Sequence, residues 1–214
     1  VPETSEVTEP ADLAGLRIGL PLRAGETWFG LQALLAEAGL TEEDVEIVEI
    51  GYTQQAALTT GQVDAVVGFR NNDQVQFELA DIPTRVVPLT DSGVVPLVSI
   101  VLATTRENLD ENPEVAQKVA SAMVAGISAT VDAPASAIEV SRAYIPTLSE
   151  PGAEAAAAAT LEATVPLWGT AGGDISGTMR ESEWSDMTTF MYERGLLATQ
   201  VAPYEAMQNV ITSS

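Results

Sequence analysis

The stretch DLAGLRIGLP, Asp12–Pro21, decides the fold because it contains a short apolar strand, Leu16–Leu20, that stops at a proline. A helix is predicted next, over Thr27–Ala38, since its apolar residues recur at helical spacing and Gly39 follows as a stop signal. The strand Val45–Ile50 comes after it. A strand, a helix and a second strand in this order form the unit from which parallel sheets are built.

The same alternation continues beyond the second strand. Gln54–Thr60 reads as a short helix, Val63–Phe69 as a buried strand and Asp73–Ala80 as another helix, and a further strand is predicted over Thr84–Leu89. Repeated units at this spacing predict an α/β fold, with a mostly parallel sheet and helices on both faces.

The chain changes character after that point. The segment Thr90–Pro96, which contains Gly, Pro and Asp, leads to a predicted strand, Val98–Thr105. Mostly helices are predicted from there on, because the runs that follow are rich in helix-forming residues and several of them begin with a proline, a helix start signal. The predicted helices begin near Pro113 and at Pro134 and cover Pro151–Thr164, Glu181–Arg194 and Pro203–Ile211, with a glycine-rich loop at Gly169–Gly177.

Composition removes several classes of function. The 214 residues carry a formal charge of −22, which repels phosphate backbones and argues against a nucleic-acid partner. There is no cysteine and no histidine, so disulfides, thiolate nucleophiles, Ser-His-Asp triads and His- or Cys-based metal sites are excluded within this sequence. The sequence predicts no catalytic residue, no metal and no cofactor. Two interpretations of the acidity stay open: adaptation to a salt-rich habitat, or an acidic protein without it.

Several stretches, taken in order, resemble one family. DLAGLRIGLP is similar to the opening of the second lobe in type II solute-binding proteins, and it is followed by DVEIVEIGY (Asp44–Tyr52) and ALTTGQVDAVVG (Ala57–Gly68). These features resemble the thiamine-pyrimidine-synthase-like branch of the solute-binding proteins that serve ABC importers. The resemblance implies a type II periplasmic-binding fold of two lobes. Lobe two would cover residues 12–95, and residues 96–214 would supply the returning strand and C-terminal helices of lobe one, which is expected to be incomplete.

A narrower resemblance concerns the ligand. The segment from Gly68 to Thr105, WGTAGG and EWSDMTTFMYERGLL are similar to binders of thiamine-precursor pyrimidines. The chain departs from that subgroup where Arg70, Asn72 and Asp73 stand in place of its Trp, Tyr and Glu. The resemblance implies that the chain captures a small heterocycle, for example a thiamine-precursor pyrimidine. Riboflavin, a taurine-like sulfonate or nitrate are the alternatives.

The same resemblance leaves two other classes to weigh. Relatives that synthesise the thiamine pyrimidine use a histidine and a lysine-bound pyridoxal phosphate, whereas this chain has no histidine, and its one lysine, Lys118, lies in an amphipathic helix. A non-enzymatic protein is therefore predicted. A ligand-sensing domain of a signalling receptor is the other possibility. The resemblance further implies ABC importer membrane subunits as partners, a monomer, and a periplasmic or extracellular location with a lipoprotein anchor.

The first candidate ligand contacts lie between the first strand and its helix. Gly25, Glu26 and Thr27 stand at the predicted helix N-terminus, where unpaired backbone N–H groups can bind a polar ligand edge. The alternative is that Thr27 only caps the helix.

The remaining candidates follow the next two strands. Asn71, Asn72 and Asp73 come after the strand Val63–Phe69, at the sheet edge where open α/β folds bind ligands. Their alternative role is a turn in which Asp73 caps the next helix. Tyr52 could stack on a ligand ring or only pack, half-buried, at the strand end. By the resemblance, Glu78 occupies the family's second acidic position; its alternative is a solvated face of the helix. Ser92 and Gly93 are predicted to form the hinge turn.

Overall fold

The fold divides into two compact units. A computed structural model describes residues 1–89, 97–168 and 175–211. Residues 1–89 and 150–164 form unit one, and the other described residues form unit two. The helix that ends at Thr164 thus groups with unit one, although the domain prediction had placed it with the C-terminal helices. The assignment of the units to two lobes stays a prediction, and Ser92 and Gly93 lie outside the described residues.

Unit one is built on a parallel sheet. Its strands are β1 (Arg17–Leu20), β2 (Glu46–Glu49) and β3 (Ala65–Val66), in the order β2-β1-β3. β1 pairs in parallel with both neighbours, with Ile18 opposite Ile47 on one side and opposite Ala65 on the other. The predicted α/β class with a parallel sheet is confirmed.

Helices connect the strands of this sheet. α1 (Gly25–Glu37) follows β1, and α2 (Gln54–Thr59) follows β2. Because the chain steps outward from β1 to β2 and then back across β1 to β3, right-handed crossovers place α1 and α2 on opposite faces. After β3 the chain makes one wide π turn, Arg70–Gln74, before α3 (Val75–Leu79). The predicted helix Asp73–Ala80 is thus present from Val75, with an irregular start.

The core explains the sequence of β1. Ile18 and Leu20 are fully buried and point to one face of the sheet, because alternate residues of a strand share a face. Gly19 points to the other face, where a Cβ atom would lie 2.8 Å from the Ile50 side chain and 3.2 Å from Val63. Glycine at this position lets the α2 side of the core close on the central strand.

The third strand is shorter than predicted. Val63–Phe69 was expected to be extended throughout, but only Ala65–Val66 form the strand, flanked by single backbone bonds from Asp64 to Arg17 and from Val67 to Gly19. In the described residues no strand pairs with the outer edge of β3, so the chain is free to turn away.

The predicted strand Thr84–Leu89 is wrong. Only Thr84 makes a bridge, with Pro2, and the Arg85 guanidinium donates hydrogen bonds to the carbonyl oxygens of Glu3, Ser5 and Val7. The segment is therefore held to the N-terminal residues by hydrogen bonds, while its apolar residues Val86 and Leu89 are exposed.

Unit two is helical in its described residues. It contains the following helices: α4 (Arg106–Glu111), α5 (Pro113–Asp132), α6 (Pro134–Ser141), α8 (Glu181–Glu193) and α9 (Pro203–Ala206), while α7 (Ala153–Thr164) belongs to unit one. The predicted helices at Pro113 and Pro134 and those over Pro151–Thr164 and Glu181–Arg194 are confirmed within two residues at the ends that were predicted.

Two predictions for unit two are wrong. The segment Val98–Thr105 is not a strand: Ile100 is 91% exposed, and no neighbouring strand in the described part of this unit is available to pair with it. The helix Pro203–Ile211 stops at Ala206, because Asn209 exchanges hydrogen bonds with the backbone of Met179 and the chain leaves the helix. Of the predicted glycine-rich loop, residues 169–174 lie outside the described ranges.

Across residues 1–89, 97–168 and 175–211, no helix has both the length and the hydrophobicity needed to cross a bilayer.

Candidate functional site

A groove lies at the carboxyl edge of the sheet in unit one. The loops that follow β1, β2 and β3 converge there and enclose a volume of about 690 Å³. Open α/β sheets bind ligands at this edge. Six of the eight residues predicted from the sequence line this groove: Gly25, Glu26, Thr27, Tyr52, Asn72 and Asp73.

The first wall of the groove is the N-terminus of α1. Gly25 has a φ of +73°, a left-handed conformation that side-chain-bearing residues avoid, and it turns the chain from β1 into the helix. The predicted capping role of Thr27 is wrong. The N-cap is Ala24, in extended conformation and without a side-chain hydrogen bond, and Thr27 is half-buried inside the first turn. The first backbone N–H groups of α1 therefore have no side-chain cap from Ala24.

Two aromatic side chains stand on the second and third loops. Tyr52 is 84% exposed and lines the groove just after β2. Phe69, 38% exposed, lines it after β3. Sequence reasoning missed Phe69 because it treated this residue as the end of a buried strand; its place at the carboxyl end of that strand was the available signal. Exposed rings of this kind can stack on a planar ligand.

Asp73 has a structural partner within the groove wall. Its Oδ2 accepts a hydrogen bond from the backbone N–H of Phe69 at 2.7 Å. The alternative in which Asp73 caps the following helix is wrong, because the residue lies inside the π turn and binds backwards along the chain. Gly68 is required beside it: a Cβ atom there would lie 2.8 Å from the Asp73 side chain.

The two neighbouring asparagines differ in environment. The Asn71 amide donates to the Thr164 hydroxyl at 3.0 Å and joins the π turn to α7, and Asn71 does not line the groove. Asn72 is exposed and does line it. Of the pair, Asn72 alone lines the groove.

Glu78 lies away from the groove. It is exposed on α3, and its carboxylate accepts a hydrogen bond from the Gln74 side chain at 2.9 Å. The described residues contain no grouping of three Asp or Glu side chains that could hold a metal ion. Ligand contact by any of the eight predicted residues stays a prediction.

Comparison with known proteins identifies the family of the chain. Residues 1–137 match the family described as NMT1/THI5 like. The chain belongs to the NMT1/THI5-like family.

Two curated relatives with different names are similar in sequence to this chain. The riboflavin-binding protein RibY of Chloroflexus aurantiacus is 30% identical over 201 residues, which are 92% of this chain and 56% of RibY. A putative thiamine biosynthesis protein of Haemophilus influenzae is 38% identical over 76 residues, which are 35% of this chain and 24% of that protein. The chain thus spans about half the length of RibY.

Solved structures share the fold at low sequence identity. The periplasmic aliphatic sulphonate binding protein SsuA from Escherichia coli superposes with a TM-score of 0.72 at 17% identity, over all of this chain and 65% of that one. The alkanesulfonate-binding protein SsuA from Xanthomonas axonopodis pv. citri, bound to MOPS, gives 0.71 at 19% identity, over 95% of this chain and 66% of that one. The predicted periplasmic-binding-protein type of α/β fold is confirmed.

Proposed function

We propose that this chain is the ligand-capturing part of an extracytoplasmic solute-binding protein and that its ligand is a small planar heterocycle. The observation that carries the proposal is the groove at the carboxyl edge of the sheet. There, the exposed rings of Tyr52 and Phe69 stand beside the polar side chains of Asn72 and Thr27. Rings supply stacking area, and amide and hydroxyl groups fix the orientation of ring nitrogens and exocyclic amines.

A thiamine-precursor pyrimidine is the first candidate within this class. The motifs between Gly68 and Thr105 that resemble pyrimidine binders support it, and so does the similarity to the putative thiamine biosynthesis protein. Riboflavin is the second candidate, supported by the similarity to RibY over 92% of the chain. Both ligands present a flat nitrogen heterocycle.

The proposed role includes no chemical step on the ligand. No histidine is present, and the Lys118 ammonium is highly exposed on α5, where it pairs with Glu114 at 3.7 Å. Lysines that form Schiff bases are held in desolvated pockets, whereas the Lys118 side chain is exposed to solvent. Partnership with the membrane subunits of an ABC importer, a monomeric state and a lipoprotein anchor outside the cytoplasm complete the proposal, by analogy with the family.

Calorimetric titration of the chain with hydroxymethylpyrimidine, formylaminopyrimidine and riboflavin tests the proposal. We expect one of the three to bind and the Tyr52→Ala variant to lose about tenfold or more in affinity, since stacking of one ring on an aromatic side chain contributes about 1–3 kcal/mol. Leu79→Ala is the control, because Leu79 is 51% exposed on α3 in the same unit and does not line the groove. Absence of binding by all three ligands would refute the heterocycle assignment.

A further inference from the structure

The charge of the groove lining is one-sided. Its ionisable side chains include the carboxylates of Glu26 and Asp73, and no described residue that lines it is Lys or Arg. The surroundings have the same sign, because residues 1–89 and 150–164 hold four arginines and no lysine against eighteen acidic residues. An anion that enters this groove meets like charge, and the described residues of the lining supply no Lys or Arg to compensate it.

The arginines of unit one are committed elsewhere or stand outside the lining. Arg23, whose neighbours in sequence line the groove, pairs with Glu42 at 2.8 Å and lies over the ring of Trp28. Arg17 is paired with Asp64. The remaining two also lie outside the lining: Arg85 is bonded to the carbonyl oxygens of the N-terminal segment, and Arg70 is exposed.

The helix end in the groove does not reverse this balance. The N-terminus of α1 carries partial positive charge and would favour an anion. Glu26 lies in the first turn of that helix, so a carboxylate of the chain itself already occupies the position of favourable charge. The helix that follows Thr53 is only six residues long and adds little.

From this arrangement we propose that the groove selects against anions, so that its ligand is neutral or cationic and presents N–H donors to the carboxylates. The inference rests on the proposed function and narrows its ligand class. It separates this chain from binders of sulfonates and nitrate, although the fold resembles that of the two SsuA proteins. An amino-substituted heterocycle meets the requirement, and the phosphate ester of the same heterocycle does not.

Matched ligand pairs test the proposal. Affinities are measured for riboflavin against its 5′-phosphate, for hydroxymethylpyrimidine against its phosphate ester, and for two simple anions, ethanesulfonate and nitrate. The neutral member of whichever pair binds should bind at least about tenfold more tightly, which corresponds to about 1.4 kcal/mol. The ratio of the two affinities should shrink as the salt concentration rises from about 0.05 to 0.5 M, because salt screens the repulsion between the anionic ligand and the carboxylates of the groove. A steric exclusion of the phosphate would not depend on salt.

Two variants localise the effect. Glu26→Gln removes one carboxylate of the groove and should narrow the ratio severalfold. Glu43→Gln makes the same charge change on an exposed residue just before β2. Glu43 therefore lies at the amino ends of the parallel strands, away from the groove at their carboxyl ends, and its change should leave the ratio of affinities unchanged. The inference would be overturned if the anionic member of a pair, or ethanesulfonate or nitrate, bound as tightly as the neutral heterocycle or more tightly; solute capture would still stand. Failure of every ligand, neutral and anionic, to bind would overturn the proposed function and this inference with it.

Discussion

The carboxylate of Asp73 accepts a hydrogen bond from the backbone N–H of Phe69 at 2.7 Å and closes the π turn that follows β3. This bond fixes the residue whose ring stands at the rim of the groove. An acidic side chain that the sequence marks as a ligand contact is therefore also a structural element of the site. The two roles are separable, because the bond to Phe69 uses only Oδ2.

Replacing Asp73 by Ala should lower both stability and affinity. The variant leaves the Phe69 N–H without its acceptor, at a cost of about 1 kcal/mol in the free energy of unfolding. Asp73→Asn keeps an acceptor oxygen and should retain most of that stability. Urea unfolding of both variants measures the difference.

The matched control for this pair is Glu78→Ala. Glu78 is an exposed acid on α3 and lies outside the groove. Its change should cost no more than about 0.5 kcal/mol, the usual range for surface substitutions. If Asp73→Ala were as mild as Glu78→Ala, the structural role assigned to Asp73 would be incorrect.

Local signals in the sequence predicted most of unit one. The three parallel strands and α1 and α2 follow from apolar periodicity and glycine stops within the segments themselves. The predicted strands Thr84–Leu89 and Val98–Thr105 are wrong because an apolar run becomes a strand only when another strand pairs with it, and none does so in the part of the chain that the structure describes.

The details of the site depend on partners that are distant in sequence. Asn71 was predicted to contact a ligand, yet its amide binds Thr164, 93 positions further on. Nothing in the sequence around Asn71 predicts that contact. The placement of Phe69 at the groove likewise depends on where β3 ends, and element boundaries are the least predictable feature of a sequence.

Gly19 and Gly30 should respond oppositely to alanine. At Gly19, in the central strand, the added Cβ would lie 2.8 Å from the end of the Ile50 side chain and 3.2 Å from Val63, so overpacking should cost about 1–3 kcal/mol. Gly30 lies inside α1 with nothing within 4 Å of the added atom, so alanine should stabilise by about 0.5–1 kcal/mol. Thermal unfolding of the two variants gives the signs, and a stabilising Gly19→Ala would show that the core on the α2 side has room.

The bond between Asn71 and Thr164 should appear as a coupling energy. Asn71→Ala and Thr164→Val each remove it, and each should cost about 1 kcal/mol. If the two residues act mainly through this bond, the double variant costs less than the sum of the single ones, by about 0.5 kcal/mol or more. Strict additivity in the cycle would mean that the contact contributes nothing to holding α7 against the π turn.

The ion pair of Arg17 and Asp64 predicts a pH dependence of stability. The guanidinium grips the carboxylate through two nitrogens, with Nε at 3.0 Å from Oδ2 and Nη2 at 2.7 Å from Oδ1. These hydrogen bonds, with a further one from the Arg17 backbone, lower the pKa of Asp64 below its ordinary value of 3.8. Both side chains are more than a third exposed, so the contribution is small because solvent screens the pair.

The sign follows from the direction of that shift. A carboxyl whose pKa is lower in the folded state stabilises the fold above its unfolded pKa, and the contribution is lost as the pH falls through the folded value. The difference in unfolding free energy between the native chain and Asp64→Asn should therefore stay constant from pH 7 to about pH 5. It should then shrink as the pH falls through the region below 3.8.

The titration of the many other acids is common to the variant and the native chain, so it cancels in this difference. A second variant tests the same pair independently. Arg17→Ala removes the other partner of the pair. Its difference in unfolding free energy from the native chain should become smaller over the same pH interval, though it should not vanish. The part that remains reports the bonds from Arg17 to the carbonyl oxygens of Gly61 and Gln62, which do not titrate. A difference for Asp64→Asn that is unchanged from pH 7 down to pH 2 would show that protonation of Asp64 does not weaken its bonds to Arg17, so that the negative charge of the carboxylate contributes nothing to the pair.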